Sequence, residues 1–420
     1  MTAWHELHHG DCRSTLRWKL RKAMFDSCVT DPPYELGFMG KEWDKRGVAF
    51  DPETWRAVYD RLKPGAHLLA FGGTRTFHRI ACAIEDAGFE IRDTVMWLYG
   101  SGFPKSLDVS KAIDKMAGAE REVVAEGPTV RRLRPGADQN KDGSWEKLGD
   151  RTYTHTVTAA ATEAARQWEG WGTALKPAFE PIIVARKPLI GTVAGNVLAH
   201  GCGALNIDAC RIATTDKLGG GAEKQTTADQ KGNDGWVRPW MEDGQSREAH
   251  AQRVQANVQK AEALGRWPAN VIHDGSDEVE GAFAAFGTKT SGTGAIKRTS
   301  AGDNEGNRGA AYGAESRPEG TPMVCYGDSG SASRFFYCAK ANKADRAGSK
   351  HPTVKPIALM RYLCRLATPP GGTVLDPFAG SGSTLQAALE EGFNAVGIER
   401  EAEFVADIER RMTLFSKEVA

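Results

Sequence analysis

The chain has 420 residues, 40% of them apolar, enough for a large packed core plus an insertion or second domain and too many for global disorder. Its 54 basic and 54 acidic side chains cancel, so net charge argues for no polyanionic partner and leaves one open where cations cluster. No run approaches the roughly eighteen apolar residues that span a bilayer, and the N-terminal MTAWHELHHGDCRS lacks an apolar signal core, so a soluble cytoplasmic protein without a membrane partner is expected.

The first hundred residues alternate strand and helix signals. His5–His8 reads as a short strand and Arg13–Lys22 as a helix. Phe25–Thr30 reads as a half-buried strand running into Asp31-Pro32-Pro33-Tyr34, where the prolines end it and fix an extended turn. A helix is expected over Asp51–Leu62, a strand over Ala66–Phe71, a helix over Thr74–Ala87 and a β-rich run over Phe89–Tyr99. This alternation predicts an α/β fold, a parallel sheet covered on both faces.

The pattern then breaks. Residues 118–170 are charged and weakly periodic, before an apolar strand signal at Phe179–Val184. Residues 214–262 and 287–333 are rich in Gly, Thr, Asn, Gln and charge and read as loops, with an ordered Arg266–His273 between them. Regularity returns with a helix over Val354–Ala367, a strand over Thr373–Asp376, a glycine turn, a helix to about Glu391, a strand over Ala395–Ile398 and a helix over Glu401–Ser416. One α/β fold split around an insertion is expected: residues 1–190 (with 118–170 inserted), an inserted domain at 191–334, and residues 335–420.

Eight cysteines (12, 28, 82, 202, 210, 325, 338 and 364) include no C-x-x-C pair, so reduced thiols are expected and no structural metal. Gly380 and Gly382 permit a tight turn and close approach of a ligand to a helix N-terminus. Glu399 stands 17 residues beyond Gly382, at a strand end where a carboxylate can bind ribose hydroxyls. That unit alone fits many nucleotide binders and also a purely structural turn. In Asp31-Pro32-Pro33-Tyr34, a carboxylate and a following backbone carbonyl form two acceptors suited to an amino group. Accepting from both N–H groups favours a tetrahedral nitrogen and frees its lone pair in a transition state. Tyr34 offers a ring on which a flat base can stack. A proline-rich turn with Asp31 as a cap is the bland alternative.

Taken together, DPPY, HPTVKP (His351–Pro356) and DPFAGSG (Asp376–Gly382) resemble the amino-methyltransferases of DNA, the family that modifies adenine N6 or cytosine N4. Their order is that of the permuted, β-type subgroup, and GTALKPAFEPIIVARKP and RFFYCAKA look like phage-type members. The resemblance covers about residues 4–117, 171–190 and 335–416. It implies a class I, Rossmann-like methyltransferase fold with a seven-stranded sheet, circularly permuted, with an inserted target-recognition domain. The implied methyl donor is S-adenosyl-L-methionine, without a metal, and the implied partner is double-stranded DNA.

By that match Asp31, Pro32, Pro33 and Tyr34 form the target-base pocket. Phe378, Gly380, Ser381 and Gly382 line the methionine and ribose, Glu399 holds the ribose hydroxyls, and Asp376 lies near the amino-acid end. Lys355 and Pro356 flank the cofactor, and Asp11, in the turn with Gly10 and Cys12, accepts from its adenine amino group. The target base must leave the stack before its amine can react. The absence of a Pro-Cys dipeptide disfavours a cytosine-C5 mechanism. Adenine N6 is expected, because within the family an aspartate opening the motif usually accompanies adenine and a serine cytosine.

Cytosine N4 is the alternative target. A protein-glutamine or RNA methyltransferase uses a related N-P-P-Y turn in the reverse order, and a catalytically silent DNA-binding protein could keep the fold. Arg131, Arg132, Arg134, Arg238, Arg253, Lys297, Arg298 and Arg308 are candidates for phosphate or guanine contact against a reading as solvated surface charges. Trp236, Trp240 and Trp267 read as small-core residues, with base stacking the alternative. A homodimer and a partner restriction nuclease are compatible with the sequence and required by nothing in it.

Overall fold

A computed structural model describes residues 3–36, 47–102, 106–131, 138–139, 145–146, 152–214, 244–290, 296–297, 322–323, 329–339, 343–349, 351 and 353–419. They divide into two compact units, residues 1–101 with 178–420, and residues 102–177.

The larger unit is built on one sheet. In chain order its strands are β1 (His5–His9), β2 (Phe25–Thr30), β3 (Leu62–Phe71), β4 (Glu90–Leu98), β5 (Phe179–Arg186), β6 (Val271–His273), β7 (Tyr337–Cys338), β8 (Thr373–Asp376) and β9 (Asn394–Glu399). They lie in the order β1-β9-β8-β2-β3-β5-β4-β6-β7. Every neighbouring pair is parallel except the two that β5 makes with β3 and β4. The sheet thus has nine strands where the family resemblance implies seven. The excess is β6 and β7, of three and two residues, which continue the β4 edge and are too short for a periodic signal of their own.

Alternation along the strands divides the core in two. Val29, Leu69, Ile182, Val184 and Val374 face one layer, while Cys28, Leu68, Ile183, Ala185 and Leu375 face the other. The first layer holds α4 (Ile357–Ala367), α5 (Ser383–Glu390) and α6 (Ala402–Val419); the second holds α1 (Cys12–Trp18), α2 (Pro52–Arg61) and α3 (Phe77–Asp86). Burial on both faces explains why β2 is buried at all six positions. Helix starts are locally encoded: Asp11 and Asp51 cap α1 and α2 through their carboxylates, and Pro52 opens α2. No described helix is long and apolar enough to cross a membrane.

Most expected elements appear with ends shifted by a few residues. A 21-residue helix, Gly244–Leu264, lies partly in a stretch expected to be loop, and Val193–His200 and Asp277–Ala284 are further helices without a matching expectation. Within residues 102–177, where weak periodicity gave no elements, Val123–Arg131 pairs antiparallel with Thr152–Thr158 beside helices Val109–Met116 and Glu163–Gln167. Asp114 anchors that unit. It accepts from Arg121 Nη1 at 2.6 Å, Thr162 Oγ1 at 2.8 Å, and the amides of Ala161 and Thr162 at 2.9 and 3.0 Å. Burial opposes its charge, yet these donors hold its carboxyl down at about 2.

Candidate active site

Parallel strands deliver their C-terminal ends to one edge, where ligands of open α/β sheets bind. Asp376 and Glu399 are the last residues of β8 and β9, and Asp31 follows β2 directly. Because β5 runs the other way, its beginning reaches the same edge, with Glu180 opposite Trp97 near the end of β4. Four acids are thereby brought to one side of the sheet.

Asp31, Tyr34, Glu180 and Lys355 form a single polar cluster. The Tyr34 hydroxyl lies 2.9 Å from both Asp31 Oδ1 and Glu180 Oε2. Lys355 Nζ donates to Asp31 Oδ2 at 2.7 Å and to the Tyr34 oxygen at 3.2 Å, and stands 3.2 Å from Glu180 Oε2. The Lys355 side chain is 7% exposed, so burial works against its charge; the Asp31 and Glu180 carboxylates outweigh this and hold its pKa above the ordinary lysine value. Burial, reinforced by the same two carboxylates, pushes the Tyr34 phenol well above its usual range. Thr76 Oγ1 donates to the Tyr34 carbonyl at 2.8 Å, which fixes the turn after Pro32 and Pro33.

The second cluster surrounds the glycine turn. Asp376 Oδ1 accepts from Thr30 Oγ1 at 2.6 Å and from the Phe378 amide at 3.1 Å; burial nevertheless raises its pKa to about 6. Glu399 accepts from the amides of Gly380, Arg400 and Glu401, each at 2.8 Å, and burial raises its pKa against those bonds. Gly380 and Gly382 have φ of +52° and +79°, and a Cβ at 380 would approach the His351 ring to 3.3 Å. Two carboxylates that burial makes hard to ionise suit a ligand bringing positive charge and hydroxyl donors.

The remaining expected positions are placed less uniformly. Gly10 N donates to the Glu399 carbonyl at 2.9 Å, so the turn before α1 adjoins the second cluster. The Asp11 carboxylate is engaged in capping α1, through the Arg13 and Ser14 amides at 3.0 and 3.2 Å, with Arg13 Nη2 at 3.5 Å. Cys12 is buried within α1, and burial pushes its thiol up to about 12. Pro356 precedes α4, Ser381 Oγ lies 3.0 Å from Ser383 Oγ, and the Phe378 ring packs 6.3 Å from Trp55. Lys355, expected beside the cofactor, bonds to Asp31 and Tyr34.

Sequence reasoning missed Glu180, whose signal was an acid opening the otherwise apolar run FEPIIV. It also missed Thr30, which bridges the two clusters from the residue before Asp31. In the middle third, Trp267 is 63% exposed with Arg211 5.0 Å over its ring, which overturns the small-core reading. Arg253 is exposed on the helix Gly244–Leu264. Arg132, Arg134, Arg238, Arg298, Arg308, Trp236 and Trp240, and the side chains of Arg131 and Lys297, lie outside the described residues.

Known proteins match the chain as a family and over a short segment, and solved structures align with it at low scores. A family model for N6/N4 methyltransferases, described as DNA methylase, matches residues 25–410. The YubD protein of Escherichia coli K12, described as a methylase, is 53% identical over 49 residues, which is 12% of this chain and 22% of the relative. The chain thus spans about a fifth of that relative's length. Among solved structures, a DNA modification methylase from Thermus thermophilus with S-adenosyl-L-methionine gives a TM-score of 0.39 at 16% identity, covering 98% of this chain and 94% of that one. The cytosine-N4-specific PvuII DNA methyltransferase gives 0.42 at 13% identity, covering 98% and 87%. Such scores are too low to bear on function.

Proposed function

The chain belongs to the N6/N4 family of DNA methylases, and on that premise we propose that it transfers a methyl group from S-adenosyl-L-methionine to the N6 amino group of adenine in double-stranded DNA. One observation carries the reading. The Asp31 turn and the buried acids Asp376 and Glu399 share a sheet edge and are joined by the 2.6 Å bond from Thr30 to Asp376. An amine to be methylated and a cationic donor thus have adjoining places.

The cofactor supplies a methyl group on positively charged sulfur. Asp376 and Glu399 fit such a ligand, because positive charge beside them relieves the burial that raises both pKa values. Glu399, fixed by three amides, keeps a lone pair on Oε2 for a ribose hydroxyl. Gly380 leaves room for close approach where a side chain would crowd His351. Asp31 and the Pro32 carbonyl accept from the two N–H groups of an extruded base, and the Tyr34 ring supports its face. Adenine is favoured over cytosine by the aspartate that opens the motif, and the cofactor half follows the target half as in the permuted subgroup. Sequence readout is assigned to residues 191–334, where the exposed Trp267 ring, backed by Arg211, offers a flat face for stacking.

The test is expression in a methylation-free host, followed by modification-sensitive genome sequencing and nucleoside mass spectrometry. N6-methyladenine in one short motif is expected; 4-methylcytosine alone would overturn the choice of base. Unmodified DNA from cells holding folded protein would overturn the activity.

A further inference from the structure

Tyr34 has one proton and too many acceptors. Its oxygen lies 2.9 Å from a carboxylate oxygen of Asp31 and 2.9 Å from one of Glu180, while Lys355 already donates to it at 3.2 Å. With both carboxylates ionised, the hydroxyl donates to one of them and leaves a bare oxygen–oxygen contact with the other. Two carboxylates and one ammonium also leave one negative charge in excess, among side chains only 7% to 20% exposed. An uncompensated charge in such surroundings is unfavourable. Geometry and charge both leave room for one more proton.

We infer that Glu180 is a positioning residue that stores the proton released in the reaction, received from Asp31 through the Tyr34 hydroxyl. The inference rests on the amino-methyl transfer reading and adds to it a destination for the proton. Methyl transfer to an amino group forms an N–C bond from the nitrogen lone pair, and the donor keeps the electron pair of the bond it loses. The nitrogen then carries two hydrogens and a positive charge. One N–H bond breaks, its electrons return to nitrogen, and the proton passes to Asp31. Protonated Asp31 gives a proton to the Tyr34 oxygen as Tyr34 gives its own to Glu180. Asp31 is ionised again, Tyr34 is neutral, and Glu180 holds the added proton until solvent removes it.

Among the described residues, the groups facing Glu180 are Asp31 and Tyr34 after β2, Lys355 before α4, and Tyr99 after β4, whose phenol is raised by burial and by the Glu180 charge to about 12. His351 also feels the charges of Asp31 and Lys355.

Glu180→Gln keeps the size of the side chain and an acceptor for Tyr34 but cannot take a proton. Single-turnover transfer should slow at least tenfold at neutral pH, while affinities for DNA and cofactor change less than threefold. The acid limb of the wild-type pH–rate profile should shift or vanish in this variant, and Glu180→Asp should restore part of the rate. Without cofactor or DNA, infrared titration toward acid should bring up a protonated-carboxyl band in the wild type that is missing in Glu180→Gln. A wild-type rate and pH profile in Glu180→Gln would overturn the inference, as would weakened binding with an unmoved profile. If the wild type transfers no methyl group to DNA, the functional reading fails by itself. The infrared band then decides separately whether Glu180 takes the proton, and an unchanged band in the variant overturns the assignment.

Discussion

Glu399 is a strand-end acid held ready to accept. Three backbone amides fix both of its oxygens, so a ligand hydroxyl meets an acceptor already oriented. Glu399→Gln replaces an ionised acceptor by a neutral amide. The expected cost is about 1.5–3 kcal/mol of cofactor affinity, roughly a tenfold to hundredfold rise in Kd by calorimetry. An unchanged Kd would remove Glu399 from the cofactor site. Cys12 illustrates the opposite case, a residue near the site that burial silences. Its thiol is held up to about 12, Cys28 and Cys364 are buried and likewise raised, and Cys82 is exposed. Alkylation of the folded protein near pH 8 should therefore modify Cys82 and spare Cys12, Cys28 and Cys364, as read by peptide mass spectrometry. Early modification of Cys12 would contradict the packing of α1.

At the scale of elements, α6 is tied to the glycine turn by one side chain. Arg411 is buried and donates to the Ser381 carbonyl at 2.7 Å, to Gln386 at 2.8 Å and to the Asp345 carbonyl at 2.6 Å. Arg411→Leu removes the donor from one buried acceptor and two partly buried ones. It should lower unfolding free energy by about 2–4 kcal/mol and weaken cofactor binding through the loosened turn, with DNA affinity little changed. Unaltered cofactor affinity at reduced stability would confine Arg411 to a packing role. The sequence made a parallel strand legible where burial on both faces writes an apolar run such as AHLLAF between glycine stops. FDSCVT, half polar, reads as half-buried, yet it is buried throughout because Asp26, Ser27 and Thr30 find polar partners inside. Glu180 was hidden because its position depends on β5 running antiparallel, a fact of topology that no local pattern carries. The pairing of Val123–Arg131 with Thr152–Thr158 escaped because Gly127 and Pro128 interrupt the first strand and threonine fills alternate positions of the second.

Across the whole molecule, two buried groups set opposed pH dependences. Burial, then the Arg186 and Arg92 charges, lower His67 in β3 to about 4 from an ordinary 6.5. Protonation of His67 therefore favours unfolding, and its contribution, whole above about pH 6.5, is lost as pH falls toward 4. Asp376 is raised by burial from 3.8 to about 6, so its contribution is whole below 3.8 and is lost as pH rises through 6. Each gap is worth roughly 3 kcal/mol at about 1.4 kcal/mol per tenfold change in acidity. Relative to wild type, His67→Gln should gain stability as pH falls from 6.5 to 4, and Asp376→Asn should gain it as pH rises from 4 to 6. Urea midpoints of the cofactor-free proteins check both; curves parallel to wild type would contradict them. The same edge of acids carries the functional account, which divides it between two ligands: Asp31 for the amine, Asp376 and Glu399 for the cofactor. The measurement that tests this division most directly is a calorimetric titration of Asp31→Ala with S-adenosyl-L-methionine, followed by labelled-methyl transfer to duplex DNA on the same sample. The account predicts a cofactor Kd within about threefold of wild type and transfer reduced at least a hundredfold, about 3 kcal/mol. Near-normal transfer, or loss of cofactor binding together with activity, would contradict it.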